Sequence, residues 1–301
     1  MSERDPNSYL SSILDAQTLK EGSDELSALH FRREQVERLL TEHFVDSTPW
    51  IRYGGSKAKH TMVREAYDLD IACFFARDDA RAGATLKDIY ENVAEALRKE
   101  YVVDAKASAL RLRSTGTPYE YTHVDVVPGR FIDGHDGDVF LFRNSADKGR
   151  QKTNLDVQIS YIRASGVRPA IRLAKLWNVR NAVNLKTFVL ELLAIDLLSG
   201  RKNTSLSDQL HYILTEFRDR ASTLSVKDPA NPEGNDLSEL LGDGVRSYLS
   251  LVARSTLQRI DASGWETLFG PASEPKEVEK QAAIRSAPAI LTVRSKPWLP
   301  E

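Results

Sequence analysis

The sequence predicts a bilobed α+β chain: a mixed sheet with flanking helices, followed by a helical second lobe, with the functional site in the cleft between them. Three observations carry that expectation. Short alternating runs bracket a Gly-Gly-Ser turn at 54–56, a long stretch of helical period separates a pair of aspartates from a third on a later strand, and beyond about residue 155 the pattern becomes mostly helical. With 301 residues the chain can bury two cores, expected over 1–155 and 156–301, the N-terminal helix being free to cross to the second lobe.

Taken in order, Phe31, Val36, Leu39, Leu40 and Phe44 recur at helical spacing, and Thr48-Pro49 ends that helix. Ile51–Tyr53 is short enough for a strand, closed by Gly54-Gly55-Ser56, and a second strand is expected over 68–75. Side chains alternate along a strand, so Asp68 and Asp70 project together while Leu69, Ile71, Cys73 and Phe75 take the apolar face. Leu86, Ile89, Tyr90, Val93, Leu97 and Tyr101 describe a long amphipathic helix over the sheet. Strands at 109–113 and 121–127, joined by a turn around Gly116 and Pro118, bring Asp125 beside the first pair.

The polar stretch 133–154 reads as the passage between lobes. Pro169 suits the first turn of a helix running to about Arg180, with Ala170, Leu173, Ala174 and Trp177 on one face and Lys175 off that stripe. Residues 188–198 form the next, more deeply buried helix, 228–235 a loop, and the tail after Ser286 is extended by Pro288, Pro297 and Pro300. Trp50 and Trp177 are assigned to packing.

Composition narrows the function classes. A net charge of -2 with interspersed signs offers no basic face and argues against tight duplex binding. The single cysteine, Cys73, lies in the apolar phase of its strand and excludes a disulfide framework or a zinc module within the chain. A polar N-terminus and the absence of an uninterrupted apolar span lead to the expectation of a cytoplasmic protein with no membrane association.

Asp68, Asp70 and Asp125 are the candidate site. Carboxylates held close together repel, so one protonates or the group holds a cation. Hard oxygen donors without Cys or His favour magnesium, here two ions with manganese as a substitute, and magnesium keeps room for waters and phosphates. That chemistry suits phosphoryl or nucleotidyl transfer from a nucleoside triphosphate. Gly55 lets a phosphate approach the backbone, and Ser56 offers a hydroxyl and an amide. Each piece alone has an ordinary reading, as a solvated strand end or a common turn.

Gly55-Ser56, eleven residues, then Asp68-Leu69-Asp70-Ile71 resembles the signature of the DNA polymerase beta-like nucleotidyltransferases, with Asp125 fitting as the third acid. Val124-Asp125-Val126-Val127-Pro128, Ile171–Trp177 and Lys186–Glu191 resemble the narrower group of oligoadenylate synthetases and cyclic GMP-AMP synthase-like bacterial enzymes, the CD-NTases. The likeness spans roughly residues 50 to 240, the loop Asp228–Pro232 included.

The resemblance implies that Asp68 and Asp70 ligate two magnesium ions and that Asp125 completes the coordination of the second ion and helps deprotonate the acceptor hydroxyl. It also implies that Lys175 and Thr187 reach the triphosphate and that Phe188 stacks on a base. The implied activity is template-independent synthesis of a cyclic di- or trinucleotide messenger in antiphage signalling, with a regulatory protein partner left open. Alternatives are a linear oligoadenylate synthetase, an RNA terminal transferase, another adenylyltransferase, or a catalytically silent nucleotide sensor. The chain departs from the group at His60-Thr61, where Gly-Thr is frequent. It also lacks cysteines for the zinc insertion through which the vertebrate enzyme engages DNA, which argues against direct DNA activation.

Overall fold

The computed structural model describes residues 5–114, 124–144 and 149–272. Side-chain caps start the first two helices: Asp5 accepts from the Ser8 amide at α1 (Pro6–Ala16), and Ser23 accepts from the Leu26 amide at α2 (Asp24–His43). The chain then runs through β1 (Trp50–Tyr53), the five-residue α3 (Gly55–Lys59) and β2 (Leu69–Phe75). A capping box between Thr85 and Asp88 opens α4 (Leu86–Arg98), which leads to β3 (Tyr101–Ala105), β4 (Leu110–Ser114) and β5 (Val124–Asp133). A hairpin continues as β6 (Asp136–Phe142) and β7 (Arg150–Thr153). The helices α5 (Leu155–Arg163), α6 (Arg168–Arg180), α7 (Thr187–Leu197), α8 (Leu206–Arg220), α9 (Asp243–Ser263) and α10 (Glu266–Phe269) complete it.

The strands form one mixed sheet in the order β1-β2-β5-β4-β3, with β6 and β7 extending from the distal half of β5. Among the described residues only the central β2/β5 pair is parallel, and its register sets Asp70 opposite Asp125. Alternation along β2 sorts its side chains. Leu69, Ile71, Cys73 and Phe75 pack under α2 and α4 against Leu29, Val36, Leu39, Ile89, Val93 and Leu97, while Ala72 and Phe74 meet Phe131, Val139 and Trp50 on the reverse face. Burial pushes the Cys73 thiol pKa well up.

A separate core holds the helices. Tyr9, Leu10 and Ile13 of α1 join Trp177, Leu190, Leu193, Phe217 and Leu257, so the N-terminal helix is built into the helical half. Each large side chain fully buried here contributes about 1.5–3 kcal/mol over exposure. The Trp177 indole donates to Thr256 Oγ1 (3.0 Å), and the Trp50 ring stacks on Phe74. The 228–235 loop closes on buried Asp228, which accepts from Gln158 Nε2, Asn235 Nδ2 and the Ala230 amide.

Several sequence expectations need correction. Phe31 is 60% exposed, and Leu26 and Leu29 take its place on the buried face of α2. Helix α4 stops at Arg98; Tyr101 instead opens β3, where it and Val103 pack from alternate positions. The stretch 133–154 is largely strand, because Val139 and Leu141 alternate into the reverse-face core. Lys175 does not stand off a one-sided stripe: α6 is wedged among α1, α7 and α8 and buries its surface nearly all round, Lys175 included. The turn around Gly116 and Pro118 and the tail after Ser286 lie outside the described residues.

Candidate active site

Three strands place three charged side chains in one row. The register pairs Asp70 of β2 with Asp125 of β5, and Asp125 with Arg111 of β4. Arg111 grips Asp125 with two parallel bonds, Nε to Oδ1 at 2.8 Å and Nη2 to Oδ2 at 2.7 Å. Asp68 lies just before β2, two residues upstream of Asp70. Sequence reasoning left Arg111 in the alternation of its strand and gave it no role; only the register reveals it.

Gly54 and Gly55 lie directly over Asp70. The Gly54 amide donates to the Asp70 carbonyl (2.8 Å), and Gly55 follows with φ +49°. A Cβ built on Gly55 would fall 1.5 Å from Asp70 Oδ2. Glycine is required here twice, by its backbone conformation and by the carboxylate beneath it. Ser56 is buried in the first turn of α3, and its carbonyl accepts from the Thr61 amide (3.0 Å). His60 stands at φ 58°, in the left-handed region that glycine adopts without strain.

The charge balance around Asp70 is unfavourable to its anion. Burial is the largest influence and pushes its pKa up to about 7; Asp68 and Asp125 push the same way, while Lys59 and Lys175 oppose. Asp68 and Asp125 are thus close enough for their charges to act on Asp70.

Behind α3 the second half of the chain supplies a closed ionic cluster. Glu191 of α7 is 0% exposed and accepts from Lys59 Nζ (2.5 Å) and Thr61 Oγ1 (2.5 Å). Lys175 of α6 is 3% exposed, donates to the Thr61 carbonyl (2.8 Å) and stands 3.5 Å from Glu191. Burial lowers the Lys175 pKa to about 8, with Glu191 opposing. For Glu191 burial alone acts upward, but the Lys59 and Lys175 ammoniums outweigh it and hold the carboxyl below its ordinary range. Phe188 is half-buried against the helical core with Lys59 Nζ 5.0 Å from its ring centre, and Thr187 is exposed at the start of α7. Glu191 appeared in the sequence only inside an apolar helix, and that setting was the available signal: an acid there must find cations.

Asp68, Asp70 and Asp125 match a hard divalent cation in donor type, and the strain on the Asp70 charge is what such an ion relieves. Among the described residues no three His, Cys, Asp or Glu side chains are already arranged around an ion position; the Asp125 carboxylate is turned into Arg111. A cavity of about 300 Å³ beside Arg130, Phe131 and Phe140 lies toward the other end of β5, away from the carboxylates. No helix among the described residues is long and apolar enough to cross a membrane.

No protein-family profile and no curated protein matches the chain. Solved structures do. CdnC of E. coli MS115-1, solved in complex with HORMA-deltaN, aligns at TM-score 0.65 and 19% identity over 89% of this chain and 98% of its own. CdnG of Bradyrhizobium diazoefficiens, a CD-NTase solved with GTP, aligns at 0.65 and 15% over 95% and 99%. The cyclic AMP-GMP synthase DncV of Vibrio cholerae, solved with the linear intermediate pppA(3',5')pG, aligns at 0.58 and 15% over 92% and 88%.

Proposed function

We propose that this chain, which has the fold of the bacterial CD-NTases, is a template-independent nucleotidyltransferase that joins nucleoside triphosphates into a cyclic di- or trinucleotide. The observation that most supports the reading is the parallel register of Asp70 and Asp125 beneath Gly55, in a fold shared over nearly its whole length with nucleotide-bound relatives.

Asp68, Asp70 and Asp125 would hold the divalent cations, magnesium or manganese; when bound, these neutralise the triphosphate and acidify the acceptor hydroxyl. The ribose hydroxyl bonds to the α-phosphorus as pyrophosphate leaves, and we assign its proton to Asp125, whose carboxylate Arg111 keeps oriented. A second transfer closes the ring. Gly55 leaves the approach to Asp70 open, and Ser56 donates to the phosphates. Lys59 and Lys175 carry two positive charges against the single charge of Glu191, leaving a net cation beside the cleft. Thr187 adds an exposed hydroxyl, and Phe188, with the Lys59 ammonium beside its ring, would offer that ring to a base.

A regulatory protein partner belongs to the same proposal, supported by the HORMA complex of CdnC. So do a role in antiphage signalling and a cytoplasmic location. The test is to incubate purified protein with magnesium and four labelled triphosphates. A phosphatase-resistant, nuclease-sensitive product that Asp70→Ala fails to make is expected. Absence of incorporation with every metal and activator, with Asp70→Ala matching the parent, would overturn it; a linear product would redirect it to an oligoadenylate-type synthetase.

A further inference from the structure

At the far end of α3 from Gly55, donors converge without an acceptor. The His60 ring lies between two guanidiniums: Nε2 is 3.0 Å from Nη2 of Arg163, the last residue of α5, and Nδ1 is 3.3 Å from Nη1 of Arg168, the first of α6. A guanidinium only donates, and a neutral imidazole has one accepting nitrogen, so at most one of these contacts is a hydrogen bond. The other sets N–H against N–H. Protonation of the ring makes both contacts donor to donor.

The surrounding charge has one sign. Burial first, then Arg163, Arg168 and Lys57, lower the His60 pKa, and no carboxylate acts against them. Elsewhere Arg52, Arg64, Arg111 and Arg180 each pair with an acid, whereas among the described residues Arg163 and Arg168 do not. Arg163 is anchored through Nε to the Ala58 carbonyl (2.7 Å), which fixes where its remaining donors lie. His60 and Arg163 are exposed and Arg168 is half-buried.

We infer that His60, Arg163 and Arg168 form a binding site for a small phosphate dianion, either inorganic phosphate or a phosphate monoester. An oxyanion accepts from both guanidiniums and from the ring, converting a donor conflict into charge-assisted bonds. The cluster is three side chains gathered where the end of α3 meets the α5–α6 connection, on a chain of net charge -2, which favours a small ligand over a nucleic-acid backbone. None of the three aspartates takes part, so the inference stands apart from the proposed catalysis.

The experiment is an imidazole NMR titration of the full chain, labelled in its histidines and free of nucleotide and divalent ions, with His60 assigned through His60→Gln. Inorganic phosphate and AMP should each shift the His60 ring saturably and raise its titration midpoint by about one pH unit, because the bound dianion favours the charged ring. Arg168→Gln should weaken phosphate binding about tenfold, and Asp70→Asn should leave it unchanged. Equal affinities assign recognition to the phosphate group alone; tighter AMP binding assigns it to a nucleotide. No saturable shift to about 10 mM, near the weak limit of specific binding, would overturn the site. So would an Arg168→Gln response equal to the parent's, loss of the shift in Asp70→Asn, or a response to duplex DNA alone.

Discussion

Two carboxylates separated by one short helix show opposite behaviour. Asp70 has like charges as neighbours and a pKa pushed up to about 7 by burial; Glu191, more fully enclosed, is held below its ordinary range by two ammoniums. Glu191 is satisfied within the fold, by Lys59, Lys175 and Thr61. Asp70 shares its row with Asp125, whose counter-charge, Arg111, lies one strand further off and is engaged by both Asp125 oxygens. A fold that completes one anion with lysines and leaves another crowded by acids has reserved the second for something from solution.

The sharpest way to break this contrast is Asp70→Asn. Loss of one ligand oxygen's charge should lower nucleotide incorporation by about 10³-fold while the protein stays folded, as read by product formation beside a thermal melt. Parent-like turnover would mean that Asp70 is structural after all. Glu191→Gln tests the other side: it leaves two ammoniums facing a neutral amide and should remove about 3 kcal/mol of stability in denaturant titration. An unchanged midpoint would show that the cluster is not closed.

Gly55→Ala probes the contact between the two regions. Its Cβ cannot coexist with Asp70 Oδ2, so the loop or the carboxylate must move, and turnover should fall about 100-fold, a typical cost of ångström-scale misplacement. The smallest expected effect is one of pH. With a native pKa near 7 against 3.8 unfolded, Asp70 retains in the native state a proton that the unfolded chain releases. Its contribution to stability is complete below about pH 4 and is lost as pH rises through 7. Without divalent ions, the melting midpoint of the parent should drop relative to Asp70→Asn by about 2 °C between pH 5 and 8, and magnesium should restore it only in the parent.

Much of the sheet lobe was readable because its signals are local. Alternation on 69–75, the Gly-Gly-Ser turn and the period of α4 each depend on a few neighbouring residues; β2 and α4 form where they indicate, α4 ending at Arg98, and the chain turns at Gly54-Gly55 into α3. The β6/β7 hairpin was missed because its apolar run, Val139–Phe142, is only four residues long within a polar stretch, and the burial of Val139 and Leu141 depends on Phe74 and Trp50 far away in sequence. Lys175 was misread for a related reason: a helix wheel shows a lysine off the stripe but not the glutamate that α7 delivers to it. Arg111 needed strand register and His60 needed a positive φ, and neither is encoded in spacing.

Cys73 has a practical corollary. Its thiol is sealed between β2 and the helices α2 and α4, and burial keeps it protonated, so maleimide reagents have neither access nor a thiolate to attack. Two cysteines placed on exposed positions, one on each half of the chain, can therefore carry a fluorophore pair in the otherwise native sequence, and distance changes between the halves can be followed during turnover without first removing the native thiol.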